Sequence, residues 1–510
     1  MTTTREQHLT TLLTGAGLVT IGKLVGSLTT LGERVIIGRV LSPDAYGEVS
    51  VGLALLAFAT TASLVGFSQG VPRYVSRFDD EADRRGVWLG GLVVTGVVAL
   101  ALTALLLVNV EFLTETLLSR ADSPRMLALF VLALPFVVGM KITVAAIRGH
   151  NNAIYRIYAQ DLAYPLTRLV LLVALLYVGL DVLAAGYAYL VAAGLSFVVA
   201  LLLLHRLTAL RGRIRTHVRE VGRFSLPVVV SGVLTVLLTR TDTLMLSYFR
   251  DTYEVGQYAA AYPIANGLII VISSFGFLYL PLASRLDADD EHEEIDSIYT
   301  TTTKWIYLVT FPALLTFVLF ADDVVAIVFG GAYSEAPIAL AILSVGFFTN
   351  AIGGRNRETI SALGVTTYLL VVNGAAFGIN VVLNLWLIPP YGLVGAAIAS
   401  ATAYGVLNLT ACLILWHRWD ITPLSRWSVR TFLVLPIALV PPAYLASQYL
   451  SLSIFTLLPW LVIVGLLSIA VVAVTGCLQA DDRIVVEFAE NALGVRIPLI
   501  RRFLPPEGQD

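Results

Sequence analysis

HRLTALRGRIRTHVREVGR, residues 205–223, carries six arginines and interrupts a chain that is otherwise strongly apolar. Six stretches long enough to cross a bilayer precede it, and eight follow. Of the 510 residues, 57% are hydrophobic and only 13% charged. A soluble domain carries about 25% charged residues, so this chain has too little polar surface for a water-soluble globule of its size. A hydrocarbon core of roughly 30 Å takes about 20 apolar residues per helix. The runs place spans at 11–41, 46–70, 86–110, 125–148, 157–179, 183–204, 224–249, 255–284, 303–321, 335–354, 360–388, 393–416, 429–447 and 455–477. The sequence therefore predicts an all-α polytopic membrane protein with about fourteen transmembrane helices, each satisfying its own backbone in lipid. The first run is longer than one crossing needs. It is expected to tilt, to bend near Gly22 or Gly26, or to project past the bilayer.

Outward from residues 205–223, the basic residues set the orientation. Of 33 Lys and Arg, 24 fall in segments that are cytosolic if the N-terminus is inside, including Arg73, Arg77, Arg84, Arg85, Arg418, Arg426 and Arg430. The opposite loops hold four: Arg39, Arg120, Arg125 and Arg250. Both termini are thus expected in the cytosol. MTTTREQH leads into a long apolar run with no short apolar core and cleavage site, and reads as a retained helix rather than a signal peptide.

Both sets of six helices begin in the cytosol, so a duplication would have its axis along the membrane normal. YGEVSVGLALL resembles VGQYAAAYPIA, which aligns Gly47 with Gly256 at an offset of 209; LAAGYAYL at 183–190 resembles VGAAIASA at 394–401. The expected organisation is two pseudo-symmetric six-helix lobes, 1–210 and 211–420, then a helix pair at 421–478 and a cytosolic amphipathic tail at 479–510. In the tail, Asp481 and Asp482 are placed to cap a short helix, and the segment suits the inner membrane interface.

Several chemistries are missing. The two cysteines, Cys412 and Cys477, make no framework and no zinc site. No histidine has metal-ligand spacing and no P-loop occurs, so neither metal nor cofactor is expected. A net charge of −2 gives no reason to expect nucleic acid. The acidic cluster Asp287–Asp296 reads as a solvated inner loop. The longest outer loops, 111–124 and 322–334, are too short to hold an acceptor for an extracellular polymerase or ligase.

An ionisable group at the bilayer centre costs roughly 2.5–3.5 kcal/mol on insertion scales, so it faces protein or water. Lys23, Ser27, Thr30 and Arg34 recur on one face of the first helix, with Glu33 about 80° round from them. On the seventh helix Ser231, Thr235 and Asp242 share a face and Arg240 points almost the opposite way. Asp242 matches Glu33 under the 209 offset, and Arg34 could approach Asp242 if the halves face each other. Lys141 and Asp161 each lie ten positions from a turn near Asn151, which suggests a structural ion pair across a helical hairpin. Asp161, Tyr164 and Arg168 share a face; Arg168 either lines a cavity or enters a structural pair. Asn266, Asn350, Asn373, Asn380, Asn384 and Asn408 read as interhelical hydrogen-bond glue.

FSLPVVVSGVLTVLLTRTDTLMLSYF followed by VGQYAAAY resembles the seventh and eighth helices of polysaccharide flippases, the O-antigen and teichoic-acid exporters of the multidrug/oligosaccharidyl-lipid/polysaccharide superfamily. FGGAYSEAPIALAIL, LGVTTY, INVVLNLWLIPPYGLVGAAIAS and RVLSPDAYGEVSVG are similar to that family's pattern, and the resemblance covers residues 10 to about 420. It implies a V-shaped pair of bundles, with helices 1, 2, 7 and 8 lining a cavity that carries the head of a lipid-linked oligosaccharide outward by alternating access. It implies substrate-binding cations, for which Lys23, Arg34, Arg168 and Arg240 are the candidates, and an ion-coupling carboxylate, for which Glu33 or Asp242 would serve. Partners would be the lipid-linked substrate, membrane lipids and glycan polymerase or transferase machinery; the setting would be a prokaryotic plasma membrane. A drug or cation antiporter of the same superfamily and a membrane polymerase or ligase remain as alternatives. Thirty arginines against three lysines suit a high-GC prokaryote.

Overall fold

Short polar residues ahead of apolar runs set where the helices begin. Ser42 accepts from the amide of Ala45 at 3.3 Å, with Pro43 in the first turn, and Asp80 accepts from Ala82 at 2.8 Å. Asn152 and Ser425 do the same for Tyr155 and Ser428. Ser453 and Thr456 form a reciprocal capping box. The computed structural model describes residues 22, 25–118, 123–274, 276–483 and 486, and among these no strand occurs.

Contacts divide the chain into two compact units, Met1–Ala259 and Ala260–Asp510. The first contains α1 (25–40), α2 (Pro43–Leu64), α3 (Phe67–Arg77), α4 (Glu81–Val108), α5 (Val110–Leu117), α6 (Ser123–Gly149), α7 (Ala153–Arg156), a π-helical stretch (Ile157–Ala163), α8 (Tyr164–Tyr177), α9 (Val182–His205), α10 (Val218–Phe249) and the start of α11 (Thr252–Ser274). The second contains the rest of α11, α12 (Gly276–Ala288), α13 (His292–Leu319), α14 (Ala321–Val328), α15 (Ala336–Gly353), α16 (Asn356–Ala362), α17 (Thr367–Trp419), α18 (Arg426–Tyr449) and α19 (Ile454–Val474).

Eleven helices among the described residues are long and apolar enough to cross a membrane. One of them, α17, is 53 residues long and is broken at Gly392, whose φ is 54°. Counting its two halves, the 32-residue α10 and α1 gives the fourteen expected crossings. The span expected at 46–70 stops earlier: Val65 and Gly66 both take positive φ, and the chain restarts as α3. The span expected from 303 begins at 292, because α13 continues through a polar first stretch, HEEIDSIYTTTTKW.

In lipid, helices associate through close packing of small residues rather than by excluding water. In unit 1, α6 meets α9 where Ala133 and Val137 pack on Ala193, and where Met140 and Val144 pack on Ala200. Tyr164 lies against both clusters. At the start of α2, a methyl on Gly47 would sit 1.9 Å from the Thr252 carbonyl oxygen, and one on Gly256 would sit 1.9 Å from that of Pro43. The contact is reciprocal: 43 and 252, like 47 and 256, are 209 positions apart.

In unit 2, α15 approaches α17 so closely that a methyl on Gly346 would lie 2.3 Å from Ala401 Cα. Tyr299 donates to the Gly353 carbonyl, and Asn408 takes Asn356 Nδ2 at 3.1 Å and donates to Thr349 at 3.0 Å. Asn408 is thus interhelical glue as expected. Asn350 and Asn384 also bond within their own helices, to Phe347 and Asn380. The final pair rests on α13 through Tyr307 to the Phe432 carbonyl and Trp460 to Thr316. Asp482 is buried rather than a surface cap: it accepts from Lys304, Trp305 and the amide of Gln479. Lys304, at the start of the span expected at 303–321, is itself buried. The remainder of the tail, 484–485 and 487–510, lies outside the described residues.

Candidate functional site

A buried pair of intramembrane charges in unit 1 forms where the first helix packs on residues 157–168. Gly22 and, on α1, Gly26 permit the approach. A methyl on Gly22 would lie 2.4 Å from Ile157, and one on Gly26 would lie 2.6 Å from the Asp161 carbonyl oxygen. Seven residues on from Gly26 is Glu33; seven on from Asp161 is Arg168. Two helical turns return each to the same face, and the side chains meet: Arg168 Nη2 donates to Glu33 Oε2 at 2.5 Å. Both are buried, Glu33 at 1% and Arg168 at 7% exposure.

Arg168 is held on its other sides by aromatic rings. Its guanidinium carbon lies 4.7 Å from the Tyr164 ring centroid and 4.4 Å from that of Tyr189 on α9. A desolvated cation over a ring gains about 2 kcal/mol. The salt bridge and two rings fix the guanidinium plane.

Around this pair stand the other candidates. Arg34 is half-buried, one position along α1, and its charge, with those of Glu33 and Arg240, acts on the buried Tyr46 of α2. Tyr46 donates to the Ala259 carbonyl at 3.2 Å. Arg240 is half-buried on α10 and Asp242 is buried at 1%, so the two face different surroundings, as their helical spacing requires. Asp242 accepts from the Tyr258 hydroxyl at 2.9 Å. Arg34 and Asp242 are not joined by an ion pair among the described residues. Lys23 and the side chains of Ser231 and Thr235 lie outside the described residues.

Lys141 and Asp161 likewise form no ion pair with each other among the described residues, and both are half-buried. The physical reason is the π-helical stretch Ile157–Ala163. Each extra residue in a turn rotates what surrounds it by about 100° relative to a continuous α-helix. Equal depth about the Asn151 turn therefore does not bring the two side chains onto facing sides.

Sequence reasoning passes over three residues here: Tyr189, whose ring lies under Arg168, Tyr46, and Glu48, a buried carboxylate at 1% exposure on α2. Glu48 is legible as an acid inside YGEVSVGLALL; Tyr46 and Tyr189 carry no signal distinguishing them from core aromatics, whereas Tyr164 is legible on the face it shares with Arg168.

At the other end of α4, the arginine-rich segment is fastened to the helix start. Arg215 bonds Asp80 at 2.7 Å, His217 lies 3.0 Å from Asp83, and Arg85 donates to the Arg213 carbonyl at 2.8 Å. The amide of Ala82, then Arg215, hold the Asp80 carboxyl below its ordinary value.

Comparison with known proteins agrees with this architecture. Residues 227–386 match the family described as MatE. A Haloferax volcanii protein named "Probable low-salt glycan biosynthesis flippase Agl15" is 26% identical over 231 residues, which is 45% of this chain and 48% of that protein, so the match spans about half its relative's length. Among solved structures, "Lipid II flippase MurJ, inward closed conformation" superposes with a TM-score of 0.73 at 12% identity, over 89% of this chain and 98% of that one. A multidrug resistance MATE family transporter of the MOP superfamily, inward-facing, gives a TM-score of 0.65 at 16% identity, over 78% of this chain and 94% of that one. The chain shares the fold of these transporters. With residues 12–287 matching its pattern, more than half of the sequence, the chain belongs to the family described as polysaccharide biosynthesis protein.

Proposed function

We propose that this multi-pass membrane protein is a flippase. It takes a lipid-linked oligosaccharide, on a polyprenyl phosphate or diphosphate carrier, from the cytosolic to the outer leaflet by alternating access, for assembly of surface polysaccharide or protein-linked glycan. It is a transporter rather than an enzyme, with both termini in the cytosol of a prokaryote, and glycan polymerases or transferases are its partners downstream. Membership of the polysaccharide biosynthesis family and the name of the Haloferax relative support this reading. The observation that carries it is the cluster of Glu33, Arg34, Arg168 and Arg240 inside the membrane-spanning part of unit 1.

The roles divide by burial. Arg168, clasped by Glu33 and two tyrosines, is a fixed positive wall. Arg34 and Arg240 are half-buried and are the cations that meet the substrate's phosphate; guanidinium supplies both charge and paired donors. Lys23, which lies outside the described residues, belongs with them from the sequence spacing it shares with Arg34. Asp242, with its Tyr258 partner, is the ion-coupling carboxylate, because Glu33 is committed to Arg168. The duplication into two lobes is supported by the reciprocal glycine contact at the 209 offset. The 24 to 4 distribution of basic residues supports the orientation.

The test is a deletion strain in which lipid-linked glycan is assigned to one leaflet or the other. Accumulation on the cytosolic side, reversed by the intact gene and not by an Arg34→Ala/Arg240→Ala variant that inserts normally, is expected. Unpolymerised units accumulating outside would instead identify a polymerase. Normal leaflet distribution with a drug-sensitive phenotype would identify a drug antiporter.

A further inference from the structure

At the arginine-rich end of unit 1, the last turn of α3 and the first turns of α10 border an open cavity of about 410 Å³ lined by Tyr74, Arg77, Phe78, Glu220, Arg223 and Phe224. That is the size of a small-ligand site. Its walls are set by contacts behind them. Arg73 lies over the Phe224 ring at 4.3 Å, Tyr74 meets Phe224 edge-on, and Phe78 is stacked on His217 at 4.4 Å. His217 in turn bridges Asp83 at 3.0 Å and Glu220 at 3.6 Å. Arg77 and Arg223 are exposed, and among the described residues neither enters an ion pair.

The lining has three chemistries together. Two guanidiniums are a receptor for a phosphate. Aromatic side chains present apolar surface to the C–H face of a sugar ring. A carboxylate accepts from sugar hydroxyls, and would repel a bare anion. Inorganic phosphate has no use for Glu220, and a neutral sugar has none for two arginines. A glycosyl phosphate uses all three.

We propose that this cavity is a cytosolic receiving site for the glycosyl phosphate head of the lipid-linked substrate, occupied before the head reaches Arg34 and Arg240. The site rests on the flippase reading above for its orientation and for the identity of the lipid.

The test has two arms. In the first, full-length protein in phosphatidylcholine nanodiscs is titrated calorimetrically with glucose 1-phosphate, inorganic phosphate and methyl glucoside. Glucose 1-phosphate is expected to bind at least about tenfold more tightly than either. Each of Arg77→Ala and Arg223→Ala is expected to weaken it about tenfold, as loss of a charge-assisted hydrogen bond does, with partial recovery in the lysine variants. Tyr74→Ala should weaken glucose 1-phosphate and leave inorganic phosphate unchanged. In the second arm, vesicles containing a polyprenyl diphosphate-linked sugar are assayed for transfer. Arg77→Ala/Arg223→Ala should raise the half-saturating substrate concentration about tenfold at an unchanged maximal rate, whereas Arg34→Ala should lower the maximal rate. Equal binding of phosphate and glucose 1-phosphate overturns the proposal. So does loss of sugar phosphate binding with unaltered transfer, which would mark a site for soluble sugar phosphates. If the wild type transfers nothing, the flippase reading falls, and the calorimetry still decides whether the cavity takes a glycosyl phosphate.

Discussion

Between α1, α8 and α9, unit 1 buries a guanidinium and a carboxylate clasped by tyrosines, and keeps two more arginines half-buried nearby. Between α13, α15, α16 and α17, unit 2 buries neutral groups: Tyr299, Asn356 and Asn408, bonded to one another's helices, to the half-buried Thr349 or to the Gly353 carbonyl. Its buried charge pair, Lys304 with Asp482, lies instead where the segment after α19 returns to α13. Neutral hydrogen bonds between membrane helices are worth about 0.6 kcal/mol each and suffice to hold a bundle. A buried ion pair is poor value as glue, because desolvation offsets much of its Coulomb attraction. The charges in unit 1 are therefore better explained by what they face than by what they hold.

The largest effect should come from removing one partner of the unit 1 pair. Arg168→Ala leaves Glu33 buried without its cation and should cost about 3–5 kcal/mol of stability, read as a fall in the unfolding temperature of purified protein, with export lost. Replacing both, Glu33→Leu/Arg168→Leu, sharpens the contrast with unit 2. Stability should largely return while export does not. If export returned too, the pair would be glue after all, and the distinction between the units would collapse.

Asp482→Ala makes the matched test in unit 2. It strands Lys304 and removes acceptors from Trp305 and the Gln479 amide, so a stability loss of similar size, about 3–5 kcal/mol, is expected. Here the double replacement Lys304→Leu/Asp482→Leu should restore leaflet transfer and only part of the stability, because Trp305 and the Gln479 amide still lack their acceptor. Lasting loss of transfer in a stable double variant would place function in unit 2 as well.

Which of these features could be read from the sequence follows from how local each one is. The helix count depends on runs of about 20 apolar residues, each complete in itself, and those runs are what the structure shows. Ser42, Asp80 and Ser453 likewise announce helix starts from their own neighbours. Arg168 showed no local partner because its partner is 135 positions away. The shared spacing of seven from Gly26 to Glu33 and from Asp161 to Arg168 was present, but only the packing of α1 on 157–163 aligns the two. Lys141 and Asp161 show the limit of a reading by depth alone: which way each side chain points also depends on the π-helical stretch, which leaves no period in the sequence. Lys304 shows no partner in the sequence because its acid, Asp482, lies 178 positions away in the tail segment.

Smaller effects test the neutral glue. Asn408→Ala should cost about 1–2 kcal/mol, measured by thermal unfolding, and leave transfer intact. A loss of transfer without loss of stability would contradict the assignment of unit 2 as scaffold. In unit 1, Tyr189→Phe keeps the ring over Arg168 and should be nearly silent. Tyr189→Leu removes it and should cost about 2 kcal/mol, the upper range for a desolvated cation over a ring.

The smallest effect concerns the arginine-rich end, where pH rather than lipid is the variable. His150, just past α6, is held below its ordinary value by burial and, second, by the charge of Arg84. In the unfolded chain it titrates near its reference pKa of about 6.5. Between the two values the unfolded state binds more protons, so stability rises with pH. The contribution of neutral His150 is complete above about pH 6.5 and is lost as pH falls through the lower, folded value. His150→Gln should flatten the decline in unfolding temperature between about pH 6.5 and 5 by a small amount while leaving stability at pH 8 unchanged. Asp80 has the same sign at lower pH, since its depressed carboxyl is protonated only as pH falls further, and Asp80→Asn should lower the unfolding temperature above about pH 4 and converge with the unaltered protein as pH falls below it. An Asp80→Asn effect confined to pH 5–6.5 would mean that the histidine, not the cap of α4, governs how this end holds the arginine-rich segment.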